Sequence, residues 1–303
     1  MSRRSLITAL VVAVVSAMTL AGIVLAVFVA LGDGAELALG GRIAVVEVDG
    51  VIGDDEGFLR DVRRLRDDRS VRGWVVSINS PGGVVAPSQS IYHALQRIRT
   101  EDELPVVASI GSVGASGGYY VALAADSILA LPGSITGSIG VLMEYPNVSG
   151  LMEKVGVQME VVKGGAQKDL GSPFREMGPE EREILSALVN DVHAQFIETV
   201  ADARGMDVAD VRPLADGRIL SGRQAERVGL VDRLGNVEEA IALAGRMAGL
   251  GPDPRIVRPP REDRDWLLDV LFGETAARAL RQLAKTVSVP AGGAGVALKY
   301  IVP

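Results

Sequence analysis

Three glycine-rich segments carry hydroxyls and backbone amides in positions suited to nucleophilic catalysis, and each follows an apolar run. The first is Asn79-Ser80-Pro81-Gly82-Gly83, after GWVVSI. Adjacent glycines let the main chain approach a ligand closely and present its N–H groups, the donors that an oxyanion hole needs. The same spelling also suits a plain strand-to-helix turn. The second segment, Gly111 to Tyr120, follows PVVASI and places Ser116 between Ala115 and Gly117 at the predicted start of a helix. A hydroxyl there stands beside the positive end of a helix dipole, where an alkoxide or oxyanion is favoured. This is the logic of a nucleophile elbow without the G-x-S-x-G spelling. Ser112, in the same segment, competes for the role. The third segment, Gly133 to Gly140, reads as a turn whose hydroxyls serve structure.

A serine nucleophile needs a base. The two histidines, His93 and His193, both fall inside predicted helices among apolar neighbours and read as packing or surface residues. Lysine is the other option if burial lowers its pKa from about 10.4 towards neutrality. The chain has five lysines, at 154, 163, 168, 285 and 299. Lys163 and Lys168 flank a Gly-Gly-Ala-Gln turn in KGGAQKDLGSPFREM, and the residues alone leave the choice between them open.

Composition narrows the chemistry further. The 303 residues include no cysteine, which excludes a disulfide framework, a thiol nucleophile and thiolate metal sites. Two histidines leave little room for a histidine metal cluster, and no metal or cofactor is expected. Net charge is −7, and removing Arg3 and Arg4 with the N-terminal segment leaves −9, which argues against a nucleic-acid partner.

Those residues need elements to position them. From Leu6 to Gly32 there is no charged side chain. As a helix that run is about 40 Å long, more than the ~30 Å hydrocarbon core of a bilayer. It exceeds the apolar region of a cleaved signal peptide, so a retained transmembrane helix is expected. Arg3 and Arg4 before it place the N-terminus in the cytoplasm and the rest of the chain outside. The expected divisions are a cytoplasmic N-terminus (1–5), the span (6–32), a linker (33–40), a folded domain (41–250), and a C-terminal linker, helix and apolar tail (251–303).

Within the domain, strands are predicted at 42–50, 73–79, 105–110, 127–132 and 157–163. Between them lie amphipathic helices, one with Phe58, Val62 and Leu65 on one face and another with Ile91, Leu95 and Ile98. Such alternation implies parallel strands joined by helical crossovers, an α/β layered domain. Pro179 opens a long helix to about Arg204, with Glu180 and Glu181 in its first turn. Shorter helices are predicted at 221–229, 237–247 and 265–286. Residues 251–264 read as a proline-rich linker, and VPAGGAGVALKYIVP as a flexible tail or an edge strand.

Five segments in order, INSPGG (78–83), GASGGYYVALAAD (114–126), TGSIGV (136–141), KDLGSPFREM (168–177) and ILSGRQAERVGLVDRLG (219–235), resemble the membrane-anchored signal peptide peptidases of the S49 serine peptidase family (SppA type, short form). The resemblance covers roughly residues 40–245. It implies a ClpP/crotonase-like fold and a Ser/Lys dyad, with Ser116 as nucleophile and Lys168 as general base. The backbone N–H of Gly83 would form the oxyanion hole, with Gly117 as a second donor. It also implies a homo-oligomer in which one subunit's lysine serves a neighbour's serine. The substrates implied are cleaved signal peptides and other apolar peptides at the outer face of the cytoplasmic membrane. The tail itself has the composition of such a peptide, so it is a candidate to occupy the site or be trimmed there. Two other readings are a crotonase-like acyl-CoA enzyme, which calls for carboxylate acid/base groups, and a catalytically silent membrane-tethered scaffold.

Overall fold

The computed structural model describes residues 40–260, the strand 299–301 and, near the N-terminus, residues 16 and 18–20, which are helical. The rest of the predicted span 6–32, the segment 1–5, most of the linker 33–40 and the helix predicted at 265–286 lie outside the described residues. Among the described residues no helix is long and apolar enough to cross a membrane.

The elements run in the order β1 (Arg42–Asp49), α1 (Glu56–Arg66), β2 (Val71–Ser80), β3 (Gly82–Val84), α2 (Val85–Thr100), β4 (Val106–Ala115), α3 (Gly117–Ala122), β5 (Ser127–Ala130) and β6 (Ile135–Gly137). They continue with α4 (Ser149–Lys154), α5 (Pro179–Arg204), α6 (Val208–Val211), β7 (Ile219–Ser221), α7 (Gly222–Arg227), β8 (Arg233–Leu234), α8 (Val237–Met247), β9 (Arg255–Val257) and β10 (Lys299–Ile301). The result is a mixed α/β fold around an eight-stranded sheet of order β7-β6-β4-β2-β1-β9, with β5 also on β4 and β8 on β5. All its pairings are parallel except β6 with β7.

Both faces of the sheet are covered, which is why its central strands read as unbroken apolar runs instead of alternating ones. Ala44, Val46, Trp74, Val76 and Ala108 face α1, α2, α3 and α5, while Ile43, Val45, Val75 and Val107 pack on Ala240, Ile241 and Ala244 of α8. In α1 Val62 and Leu65 are buried, and in α2 Ile91, Leu95 and Ile98, as their spacing predicts. β4 is the branching strand. Residues 107–110 pair with β5, and residues 113–115 pair with β6. The change of partner falls between Ile110 and Val113, and the β6-paired branch ends at Ala115, immediately before Ser116.

Two sequence expectations are corrected. Residues 157–163 do not form a strand, and Val157, Met159 and Val161 are exposed. Period-two alternation describes a surface suited to pairing, but a strand exists only with a hydrogen-bonded partner. Conversely, residues 255–257, read as linker, form β9 beside β1. Proline and charge around them mark an edge strand, where one side of the backbone needs no partner.

Candidate active site

Ser116 lies between β4 and α3 with φ 54° and ψ −118°, and it is buried. A positive φ in a residue with a side chain costs about 1–3 kcal/mol unless its surroundings impose it. Here the surroundings do. The Ser116 N–H donates to Gly137 O at 2.8 Å, and its carbonyl accepts from Tyr120 N–H at 2.8 Å. Downstream, Tyr119 is fully buried and its hydroxyl donates to Leu230 O at 2.7 Å. Burial pushes the Tyr119 phenol up, so it stays a neutral donor. The Tyr120 ring meets Tyr92 and Phe196 edge-on, with centroids 5.2 and 5.0 Å apart. At about 0.5–1.5 kcal/mol for each such pair, these anchors are enough to offset the strain. Ser116 therefore has the backbone of a nucleophile elbow. Its competitor Ser112 lies within β4 and is exposed.

Gly82 and Gly83 come against this turn. A Cβ on Gly117 would sit 2.6 Å from Ser88 Oγ and 3.2 Å from Gly83 N, so the serine turn packs directly on the Gly82–Gly83 backbone. Gly83 has no room either, because a Cβ there would lie 2.1 Å from Ile52 O. Ile52 N–H donates to Gly82 O at 2.9 Å and Val84 N–H to Ile52 O at 2.8 Å, which clamps β3 from one side. Ser80 Oγ accepts from Gly82 N–H at 3.1 Å, and Ser88 Oγ donates to Val84 O at 2.9 Å. Neither hydroxyl stood out in the sequence, yet both fix the Gly82–Val84 backbone. In the third segment, Ser134 and Thr136 donate to the carbonyls of Gly111 and Gly114. Those are structural roles, as the sequence suggested.

β3 has a partner that no local pattern announces. The C-terminal strand β10 runs antiparallel to it, with Lys299 opposite Val84, Tyr300 opposite Gly83 and Ile301 opposite Gly82. On its other side Lys299 exchanges two main-chain hydrogen bonds with Leu142, of 3.1 and 3.2 Å. The segment 299–301 thus fills a slot between β3 and Leu142, against α2 and α3.

Lys168 stands apart from this assembly. It is exposed, and among the described residues no hydrogen bond joins it to Ser116. Its main-chain N–H donates to Gly165 O at 3.2 Å. Lys163 is committed elsewhere, donating to Ala166 O at 2.8 Å and pairing with Asp169. Arg175 Nε also binds Asp169, at 2.9 Å, and its other nitrogens reach Glu181. Arg175, then Lys163, hold the Asp169 carboxyl well below the usual carboxylate range, and Arg175 holds Glu181 down at about 2. His93 is exposed beside Tyr92 and His193 sits on α5; neither hydrogen-bonds to Ser116 among the described residues.

Comparison with known proteins places this geometry. Residues 98–251 match the model of peptidase family S49. Over 214 residues the chain is 44% identical to a protein named as a protease in Synechocystis, covering 70% of this chain and 76% of that one. It is 36% identical over 213 residues to a protein named signal peptide peptidase SppA in Enterococcus faecium, covering 66% and 62%. It is 30% identical over 263 residues to Protease 4 of Haemophilus influenzae, covering 82% of this chain but 42% of that relative. With the matched region carrying Ser116 and the lysine loop, the chain belongs to peptidase family S49.

Proposed function

We propose that this peptidase is a membrane-anchored serine endopeptidase, with Ser116 as nucleophile and Lys168 as general base. Its substrates are cleaved signal peptides and other extended apolar peptides at the outer face of the cytoplasmic membrane. One observation carries the reading: the strained, buried Ser116 turn packs on Gly82–Gly83 beside a slot already filled by an extended segment, residues 299–301. A peptide added there gains main-chain hydrogen bonds whatever its side chains, which suits an enzyme that accepts many apolar sequences. The chain's own tail is the first occupant. Branching of the sheet at β4 fits a ClpP/crotonase-like architecture, and family membership favours peptide hydrolysis over acyl-CoA chemistry.

In the reaction, neutral Lys168 takes the Ser116 Oγ proton as Oγ bonds to the scissile carbonyl carbon. The carbonyl π pair moves onto oxygen, and the Gly83 N–H, with that of Gly117, donates to the resulting oxyanion. The C–N bond then breaks, and the Lys168 ammonium returns its proton to the departing amine. Water attacks the acyl-enzyme while Lys168 accepts its proton, and that proton restores Ser116 when the carboxylic acid leaves.

A lysine acts as a base only when desolvated, and Lys168 is exposed in the single chain. A homo-oligomer supplies the cover: Val157, Met159, Val161 and Val162 expose apolar side chains on the same connection, suited to burial against a second copy. Such pairing would carry the lysine loop to a neighbour's serine. The test is fluorophosphonate labelling of the full-length chain in detergent, with apolar-peptide hydrolysis in parallel. Labelling and cleavage lost in both Ser116→Ala and Lys168→Ala support the dyad. A folded, oligomeric wild type that takes no label points instead to a silent scaffold.

A further inference from the structure

Lys168 lies on a long connection without strand or helix, residues 155–178, yet its backbone is held at several points by one cation. Arg175 Nε donates to Asp169 Oδ2 at 2.9 Å and Nη2 to the Asp169 carbonyl at 3.2 Å. Nη1 reaches Glu181 Oε2 at 2.7 Å, and Nη2 binds Oε1. Glu181 in turn accepts from Gly178 N–H at 2.9 Å and is buried at the first turn of α5. Arg175 therefore ties the residue next to Lys168 to a helix rooted in the core. Lys163 adds a second cation to Asp169.

The consequence is electrostatic as well as mechanical. Asp169 is the immediate neighbour of Lys168 and the obvious carboxylate to pair with it. An ion pair would hold the lysine protonated, which disables a base. With Arg175 and Lys163 both on Asp169, that carboxylate is already engaged. The charged groups of the connection are Glu160, Lys163, Lys168, Asp169, Arg175 and Glu176, and α5 adds Glu181 and Arg182 beside it. Two carboxylates and two cations close on each other in the web, and Lys168 is the remaining cation of the segment 155–178.

We infer that Arg175 is a positioning residue for the reaction, fixing the backbone that presents Lys168 and withholding the Asp169 carboxylate from it. This rests on the reading of Lys168 as the base. The test measures peptide hydrolysis against pH for the full-length chain and its variants. Arg175→Ala should lower kcat about 10- to 100-fold, with KM changed far less, because a misplaced base affects the chemical step more than peptide docking. It should also move the midpoint of the rising limb of the pH profile upward by about one unit or more, since Asp169 is released towards Lys168. Adding Asp169→Asn should bring the midpoint back without restoring the full rate, and Arg175→Lys should recover part of kcat. Should Arg175→Ala fail to fold, Glu181→Gln loosens the tie to α5 but leaves Arg175 on Asp169, so kcat should fall while the midpoint stays in place, and an unchanged kcat there overturns the positioning role. An unmoved midpoint together with an unchanged kcat in a folded variant overturns the proposal, as does a midpoint that moves equally with and without Asp169. Activity surviving Lys168→Ala would instead sink the dyad and leave the Arg175 web a purely structural feature.

Discussion

Ser116 and Lys168 sit in opposite kinds of surroundings, one buried and the other exposed. The serine turn is buried, strained and wedged between paired strands, with Tyr119 and Tyr120 rooted in the main core immediately after it. The lysine connection has no regular structure from 155 to 178, is largely exposed, and is held by a few ion pairs that reach one buried carboxylate, Glu181. A few ion pairs constrain a connection at isolated points, whereas core packing of rings such as Phe196 fixes a whole turn. The fold thus invests its rigidity in the Ser116 turn and the Gly82–Gly83 amides. Lys168, which we propose as the base, sits on a connection that shares little of that rigidity.

Single-atom changes offer the sharpest break of the contrast. Gly83→Ala places a Cβ 2.1 Å from Ile52 O, so β3 must shift; peptide hydrolysis should fall about 100- to 1000-fold, the scale of losing an oxyanion donor. A Gly83→Ala enzyme with wild-type rates would show that this side tolerates movement. Ending the chain at residue 298 vacates the slot between β3 and Leu142, and kcat/KM for short apolar peptides should rise several-fold, about the effect of removing a tethered competitor. Initial rates on full-length and truncated chains at low substrate measure it.

Acid should separate the two regions without any mutation. Glu181 is held at about 2 against an ordinary value of 4.5, so the folded state binds fewer protons there than the unfolded one. Its contribution is therefore full above pH 4.5 and is lost as pH falls towards 2. Hydrogen exchange across that window should show residues 163–181 opening while β1, β2 and β4 stay protected. Simultaneous opening of both would mean that the two regions unfold as one. The smallest effect belongs to Gly164→Ala, where a Cβ meets nothing within 4 Å; activity should stay within about twofold of wild type.

Much of the layered fold is legible in the sequence. The helices 179–204 and 237–247 and the apolar faces of α1 and α2 follow from periodicity and end signals, which are local. Ser116 and Gly83 were legible because glycines are needed where backbones touch, and that need leaves a mark on the sequence. The strand predicted at 157–163 failed for the complementary reason, since alternation records a capacity to pair and not the presence of a partner. Ser80, Ser88 and Arg175 escaped notice because ordinary side chains acquire their roles only from what lies opposite them.

By itself, then, the sequence determined the α/β alternation, the glycine-rich turns, the serine at one of them and the family to which the chain belongs. These depend on residues within a few positions of one another, or on ordered motifs that survive as text. Only the tertiary structure decided that β4 exchanges β5 for β6 between Ile110 and Val113, that residues 299–301 lie along Gly82–Val84, and that Arg175 binds Asp169 and Glu181 while Lys168 stays exposed. Each of these joins segments that the chain must close into contact, and pairing across such distances is set by the competition of whole surfaces for burial and hydrogen bonds, which no local pattern encodes.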